Sequence, residues 1–304
     1  MHYTDPAEIM KKNSIYIVDD DEDDLMLLKE AFENLDNEIQ ITELGNGKEL
    51  LELISLQTAS SMPDLILTDV NMPRMNGLDA LSILKSIPAA QQIPVIMLST
   101  SNDSSLIIQA YDYGTCGFLT KPVSIAAYSQ MAEAISICFL NNHALKEKLP
   151  THKDFTSKSI LIIEDHDDQW EIVKRSFNRS MPGITLLRLA TSSATLDFLN
   201  NTWNTLKSPP DLIMLDLYLP TRREGLNLLD SIHYFFKIQR LTPVPVIVFS
   251  ASNDKEDIDA SYQHSASAFM TKATDIPYSI SYLQYFCMFW WQIVSLPKKR
   301  ITIY

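Results

Sequence analysis

Short apolar runs alternate with amphipathic stretches along the first half of the chain. Five short runs predict strands, over residues 14–18, 39–44, 65–68, 94–99 and 117–120. All but the run at 39–44 are mostly apolar, as is typical of strands buried on both faces. Between them apolar residues recur every three or four positions, which predicts helices over residues 23–35, 47–55, 78–86, 104–113 and 124–146. This alternation predicts an α/β fold with a doubly wound parallel sheet.

The second half of the chain repeats the same order of elements. Its matching apolar runs cover residues 160–163, 211–215, 245–249 and 268–271. The polar residues that follow these runs lie 145 to 151 positions after their counterparts: Asp20 pairs with Asp165, Asp69 with Asp216, Ser99 with Ser250 and Lys121 with Lys272. A tandem repeat explains this spacing and predicts a first domain over residues 1–148, a polar linker over 149–158 and a second domain over 159–304.

The composition narrows the possible functions. A length of 304 residues suits two domains, and a net charge of −13 argues against nucleic acid as a direct partner. Cys116, Cys138 and Cys287 follow neither disulfide nor metal spacing, which favours reduced thiols in a cytoplasmic protein. The N-terminal residues are polar and charged, so we expect no secretory signal.

The C-terminal stretch over residues 278–296 is uncharged and is followed by basic residues at 298–300. Its length would just span a bilayer, but serines and glutamines interrupt it and the second domain needs a closing helix here. We therefore expect a closing helix of the second domain and no membrane anchor. Apolar residues, including Trp290 and Trp291, nearly encircle this helix, which predicts that it docks on the first domain or on a second copy of the chain.

Polar residues follow the strands at the carboxyl edge, where ligands collect in open parallel sheets. They are Asp19, Asp20, Asp69, Ser99 and Lys121 in the first half, and Glu164, Asp165, Asp216, Ser250 and Lys272 in the second. Neighbouring carboxylates favour a divalent cation, because close carboxylates are costly without a counter-charge. In the alternative interpretation Asp69 is a turn aspartate and the acidic runs are solvated helix starts.

These residues resemble the signature of response-regulator receiver domains, which accept a phosphoryl group on aspartate. The matching strings of the first half are Ile-Val-Asp-Asp-Asp, Leu-Thr-Asp-Val-Asn-Met-Pro, Val-Ile-Met-Leu-Ser-Thr and Gly-Phe-Leu-Thr-Lys-Pro. Those of the second half are Ile-Ile-Glu-Asp, Met-Leu-Asp-Leu-Tyr-Leu-Pro, Val-Ile-Val-Phe-Ser-Ala and Ala-Phe-Met-Thr-Lys. The resemblance leaves out only the termini and the linker, and it implies two flavodoxin-like five-stranded parallel sheets flanked by helices.

The resemblance also implies a role for each residue. Asp69 and Asp216 would accept the phosphoryl group, Lys121 and Lys272 would bind it, and Ser99 and Ser250 would sense it. The aromatic switch residues would be Phe118 and Phe269. The ligands of Mg²⁺ in the first domain would be Asp20, Asp69 and the Asn71 carbonyl, with Asp19 acting through water. In the second domain these roles would pass to Glu164, Asp165, Asp216 and the Tyr218 carbonyl. The donor would be a histidine kinase or a histidine phosphotransfer protein.

The remaining residues fit no helix-turn-helix, cyclase, phosphodiesterase or kinase core, so we expect output through protein contacts and no output domain. A hydrolase is disfavoured, since the chain has neither a Gly-x-Ser-x-Gly elbow nor a phosphate-binding glycine loop. The rival hypothesis is a scaffold whose second receiver is a non-phosphorylated docking module.

The second repeat differs from the first at glycine and proline positions around the predicted site. Gly77 is matched by Gly225 only after one inserted residue, and Pro122 is replaced by Ala273. The resemblance implies a cis Lys121–Pro122 bond that aims the lysine at the acids. Without the proline we expect a trans bond that displaces Lys272 or forces the loop into another path, and we expect Asp216 to be labelled more slowly than Asp69.

Four histidines could suggest a phosphohistidine: His143, His166, His233 and His264. None lies in a helical-bundle pattern, so we discount them as phosphorylation sites. His166 lies within the acidic run, where a position beside a metal or on the surface is expected.

Overall fold

The computed structural model describes residues 12–35, 39–58, 61–140, 155–272 and 276–297, and of residues 276–281 the backbone alone. The strands of the first repeat are β1 (Ser14–Val18), β2 (Gln40–Leu44), β3 (Leu65–Asp69), β4 (Val95–Ser99) and β5 (Gly117–Thr120). They form a five-stranded sheet in the order β2-β1-β3-β4-β5, and every pairing is parallel. The chain therefore changes direction across the sheet between β1 and β3, which opens a crevice at their carboxyl ends.

The helices of the first repeat lie on both faces of this sheet. They are α1 (Glu22–Glu33), α2 (Gly47–Leu56), α3 (Gly77–Ser86), α4 (Ser104–Asp112) and α5 (Ile125–Phe139). All residues of β3 and β4 are buried, as expected for parallel strands covered from two sides. Helix α5 is shorter than the predicted helix over residues 124–146, of which residues 141–146 lie outside the described residues.

The second repeat has the same architecture. Its strands are β6 (Ser159–Ile163), β7 (Thr185–Leu189), β8 (Leu212–Leu215), β9 (Val246–Ser250) and β10 (Ala268–Thr271), in the parallel order β10-β9-β8-β6-β7. Its helices are α6 (Asp167–Ser180), α7 (Ser192–Asn201), α8 (Arg222–Ile238), α9 (Lys255–Gln263) and α10 (Ile276–Met288), with a 3-10 turn at Trp203–Thr205. The predicted fold, two flavodoxin-like five-stranded parallel sheets flanked by helices, is confirmed.

Local capping fixes where several helices begin. The Asp21 side chain accepts from the backbone N–H groups of Asp23 and Asp24 at the start of α1, and Asn46 caps α2 in the same way. Such caps satisfy backbone donors that the first helical turn leaves without partners. The starts of α1 and α2 are therefore set by residues next to the functional edge of the sheet.

The C-terminal segment of the second repeat packs against the first repeat. Helix α10 ends in a π-helical turn, Phe289–Ile293, and the Phe289 ring meets the Phe139 ring of α5 edge to face at 5.6 Å. Val294 then pairs antiparallel with Leu119 of β5, and the Ser295 N–H donates to the Phe118 carbonyl at 2.7 Å. The predicted docking of this segment is thus made within the chain, on the edge strand and last helix of the first repeat.

The described part of the chain contains no helix with the length and apolar character needed to span a bilayer. The basic residues at 298–300 and most of the expected linker, residues 149–154, lie outside the described residues.

Candidate functional site

The carboxyl ends of β1, β3 and β5 bring acids and a lysine together in the first repeat. Asp19 follows β1 and is 1% exposed, and Asp69 ends β3 and is 5% exposed. The Lys121 Nζ, just beyond β5, lies 2.7 Å from Asp19 Oδ2 and 2.7 Å from Asp69 Oδ1. The predicted neighbours therefore share one pocket, with the ammonium between the two carboxylates.

A third carboxylate, which was not among the predicted site residues, completes this pocket. Asp24 Oδ2 lies 2.8 Å from Lys121 Nζ, and Asp24 Oδ1 accepts from the Tyr128 hydroxyl at 2.7 Å. Asp24 belongs to the first turn of α1 and Tyr128 to α5. The acidic run offered a signal for Asp24, whereas Tyr128 has the local pattern of an ordinary core residue.

Burial and ion pairing shift the pKa values of these charged groups in opposite directions. Desolvation raises the pKa of Asp19 to about 6, although the hydrogen bond from Lys121 opposes that rise. Desolvation also lowers the pKa of Lys121, but hydrogen bonds to Asp19, Asp24 and Asp69 outweigh it, so the net shift is upward. The pKa of Asp24 is lowered, because bonds from Lys121 and Tyr128 exceed the effect of its burial. The lysine is thus held charged at the centre of the pocket.

The backbone joins the other predicted residues to this pocket. The Ser99 carbonyl accepts from the Lys121 N–H at 2.8 Å, and the buried Ser99 Oγ accepts from the Ser101 N–H at 3.1 Å. The Asn71 N–H donates to Asp69 Oδ2, so the loop after β3 curls back on the acid. Phe118 lies on β5, the strand next to the one that ends at Ser99, and is fully buried.

The second repeat builds a matching but not identical pocket. The Lys272 Nζ lies 2.7 Å from Glu164 Oε2 and 3.0 Å from Asp216 Oδ2. Its third contact is the amide oxygen of Gln169, which stands at the position of Asp24. Lys272 is therefore held by two carboxylates and a neutral amide.

The remaining residues of the second pocket repeat the pattern of the first. The Ser250 carbonyl accepts from the Lys272 N–H at 2.7 Å, and Ser250 Oγ accepts from the Ser252 N–H at 3.2 Å. Phe269 is buried on β10. The hydroxyl and backbone contacts of this edge do not depend on which acids surround the lysine.

The expected difference between the two lysines rested on a cis Lys121–Pro122 bond, and that prediction is wrong. Lys121–Pro122 is not cis; among the described residues the cis bond is Leu219–Pro220. Lys272 reaches its acids without a following proline, so it is not displaced, while Ala273 lies outside the described residues. Both lysines reach their acidic pockets because each follows an edge strand that ends beside the acids.

The two repeats differ in how closely their acidic side chains are grouped as possible ligands of one cation. Among the described residues, Glu164, Asp165, His166 and Asp216 each offer a ligand atom, and all four atoms lie within 4.8 Å of one another. In the first repeat Asp20 is exposed and the ammonium lies among Asp19, Asp24 and Asp69. Oxygen donors of this kind fit Mg²⁺ in both pockets, and the second pocket adds an imidazole.

Two further side chains shape the second pocket. Arg188 on β7 donates to the carbonyls of Glu164 and Asp165, at 3.0 and 3.1 Å, and so holds the loop that carries the acids. Tyr218 donates its N–H to Asp216 Oδ1 at 3.4 Å, while its hydroxyl donates to Asp257 Oδ2 at 3.0 Å.

The other histidines lie apart from the pockets. His264 Nδ1 is 2.9 Å from Asp230 Oδ1, His233 is partly buried on α8, and His143 is outside the described residues. Cys116, Cys138 and Cys287 are free and buried.

Known proteins match both halves of the chain. The family model for the response regulator receiver domain matches residues 15–133 and again residues 160–282. The chain is 39% identical over 119 residues to the glycerol metabolism activator of Pseudomonas putida, which covers 37% of this chain and 49% of that protein. It is 33% identical over 129 residues to the DNA-binding transcriptional regulator NtrC of Escherichia coli, which covers 42% of this chain and 26% of NtrC. The chain thus spans about half or less of these curated relatives.

A solved structure also resembles part of the chain. The phosphorylated cyanobacterial phytochrome response regulator RcpA matches at 29% identity with a TM-score of 0.40, covering 43% of this chain and 95% of that one.

Proposed function

This chain belongs to the family of response regulator receiver domains, and on that premise we propose that it is a two-component signalling protein. Asp69 and Asp216 each accept a phosphoryl group from a histidine kinase or a histidine phosphotransfer protein. The signal then passes on through protein contacts.

The observation that carries this proposal is that each of the two repeats places a lysine between carboxylates. Lys121 Nζ touches Asp69 Oδ1 at 2.7 Å, and Lys272 Nζ touches Asp216 Oδ2 at 3.0 Å, each at the carboxyl edge of its sheet. A buried aspartate fixed beside a cation is positioned to attack an anionic phosphoryl group, since catalysis of such transfers is chiefly positioning and electrostatic stabilisation.

In the transfer a carboxylate oxygen of Asp69 forms a bond to phosphorus while the bond from phosphorus to the donor imidazole nitrogen breaks. The imidazole leaves with that electron pair. Lys121 exchanges its contact with Asp69 for a phosphoryl oxygen and remains held by Asp19 and Asp24. Asp20, Asp69 and the Asn71 carbonyl, with Asp19 acting through water, would hold a Mg²⁺ ion, and the ion would supply further positive charge at the phosphoryl oxygens.

Ser99 lies where it can report the reaction. Its hydroxyl is a donor available to a phosphoryl oxygen, and its carbonyl already receives the Lys121 N–H. A shift of Ser99 towards the new group opens space into which Phe118 rotates. Ser250 and Phe269 act in the same way in the second repeat, where Glu164, Asp165, Asp216 and the Tyr218 carbonyl would hold Mg²⁺.

Intact-protein mass spectrometry after treatment with acetyl phosphate and Mg²⁺ tests the proposal. We expect two added phosphates on the wild-type chain, one on Asp69→Asn, one on Asp216→Asn and none on the double variant. Asp112→Asn, at the end of α4 away from the pockets, is the matched control and should still take two. A single phosphate on the wild type, lost in Asp69→Asn, would favour the rival scaffold with a docking module. Labelling of the double variant would refute the assignment.

A further inference from the structure

The second pocket holds a nitrogen donor that the first lacks. His166 Nδ1 lies 2.8 Å from Asp165 Oδ1 and 3.7 Å from Glu164 Oε1. Together with Asp216 these residues offer four ligand atoms within 4.8 Å of one another. One imidazole and three carboxylates form a mixed donor set, which differs in chemical preference from carboxylates alone.

The position of His166 frees it for this use. The corresponding residue of the first repeat, Asp21, is occupied as the cap of α1, where its side chain accepts from two backbone N–H groups. His166 is the residue before α6 but makes no capping bond with its side chain. Its imidazole instead turns to the acids, and at 63% exposed it can rotate at little cost.

The loop that carries these donors is held in place. Arg188 donates to the Glu164 and Asp165 carbonyls and pairs with Asp167 at 2.7 Å, so residues on both sides of His166 are fixed to β7. The first repeat has Glu43 at the position of Arg188, and Glu43 binds Lys29 instead. A preformed loop lowers the ordering cost of binding a ligand.

We propose that the second pocket binds a divalent cation that accepts nitrogen, of the Zn²⁺ type, through His166, Glu164, Asp165 and Asp216. The proposed function places Mg²⁺ at three of these carboxylates, and we expect the imidazole to make the second pocket prefer the nitrogen-accepting cation over Mg²⁺, whereas the first pocket, with oxygen donors alone, takes Mg²⁺. This inference rests on the metal site of the proposed function, and it adds that the two receivers prefer different cations. The reason is that neutral imidazole is a good ligand for zinc and its neighbours in the transition series, whereas Mg²⁺ prefers oxygen donors.

Calorimetric titration of the full chain with Zn²⁺ and with Mg²⁺ tests the inference. His166→Ala should weaken Zn²⁺ binding by about 10-fold or more and leave Mg²⁺ binding unchanged. His264→Ala is the matched control, because His264 also pairs with an aspartate but belongs to no ligand cluster of the described residues. It should leave both affinities as in the wild type. Equal loss of Zn²⁺ affinity in the two variants, or no loss in His166→Ala, would overturn the inference.

Nitrogen NMR of the histidine side chains provides a readout independent of phosphorylation. Zn²⁺ should shift one imidazole nitrogen signal that is absent from His166→Ala, while Mg²⁺ should not move it. His166→Asp, which restores the residue of the first repeat, should keep Mg²⁺ binding and lose the preference for Zn²⁺; a retained preference would count against the inference. If Asp216 takes no phosphate but the His166 signal responds to Zn²⁺, the proposed function fails for this domain and the metal assignment stands. The reverse pattern overturns the metal assignment alone.

Discussion

Tyr128 and Asp24 tie the lysine of the first pocket to the last helix of its domain. The Tyr128 hydroxyl donates to Asp24 Oδ1 at 2.7 Å, and the other oxygen of Asp24 binds Lys121 at 2.8 Å. Both oxygens of one carboxylate are therefore engaged, and each engagement favours its charged form. The lowered pKa of Asp24 records this preference.

Tyr128→Phe should destabilise the folded chain by about 1.5 kcal/mol at neutral pH, since the hydroxyl donates to a charged acceptor. The folded-state pKa of Asp24 is depressed, so this contribution is present above the unfolded aspartate value of about 3.9 and is lost as the pH falls through the folded pKa. Urea unfolding at pH 7.5 and pH 3.5 measures the difference. In an Asp24→Asn background the same change should cost less, and an equal cost in both backgrounds and at both pH values would contradict the coupling.

Helix α3 approaches the end of β3 so closely that only glycine fits. A Cβ at Gly77 would lie 2.0 Å from the backbone oxygen of Asp69. In the second repeat a Cβ at Gly225 would lie 2.0 Å from the backbone oxygen of Leu217, one residue beyond Asp216. The inserted residue of the second repeat thus moves the close contact from the aspartate that ends the strand to the residue after the matching aspartate.

Gly77→Ala should therefore displace Asp69 itself, whereas Gly225→Ala should displace Leu217. We expect each substitution to destabilise the chain by about 1–3 kcal/mol, the usual range for overpacking. Gly77→Ala should slow labelling of Asp69 by acetyl phosphate more than Gly225→Ala slows labelling of Asp216. Rates measured by mass spectrometry in the single-acceptor backgrounds compare the two, and equal slowing would show that the position of the contact is unimportant.

The two receivers are joined through the edge strand that carries Phe118. The Ser295 N–H donates to the Phe118 carbonyl at 2.7 Å, and Val294 bridges to Leu119. Edge strands present backbone groups without partners, and here the C-terminal segment covers them. The strand next to the lysine pocket of the first repeat is thus also the docking strand for the second domain.

Ser295→Pro should loosen this docking, because proline lacks the donated N–H. Val294 has φ −74° and ψ 131°, a conformation that a following proline accepts. Hydrogen exchange of β5 and α5 should rise several-fold in Ser295→Pro and remain at the wild-type level in Ser295→Ala, which keeps the N–H. Identical exchange in the two variants would show that this bond does not hold the domains together.

Local patterns in the sequence determined the sheets, the repeat and the polar residues at the carboxyl edge. Strands and helices have periods that a short stretch of chain reveals, and the residue after a parallel strand must lie at that edge. The sequence alone therefore predicts Asp69 beside Lys121 and Asp216 beside Lys272. The offsets between the repeats made the assignment stronger than either half alone.

Only the tertiary structure decided which groups complete each pocket. Tyr128 and Asp24 are separated by 104 residues along the chain, and Lys121 and Asp24 by 97. The docking of Val294 on Leu119 and the turn of His166 towards the acids have no local period either. Such contacts depend on how helices pack across the sheet and which rotamers that packing permits, and a one-dimensional pattern carries neither.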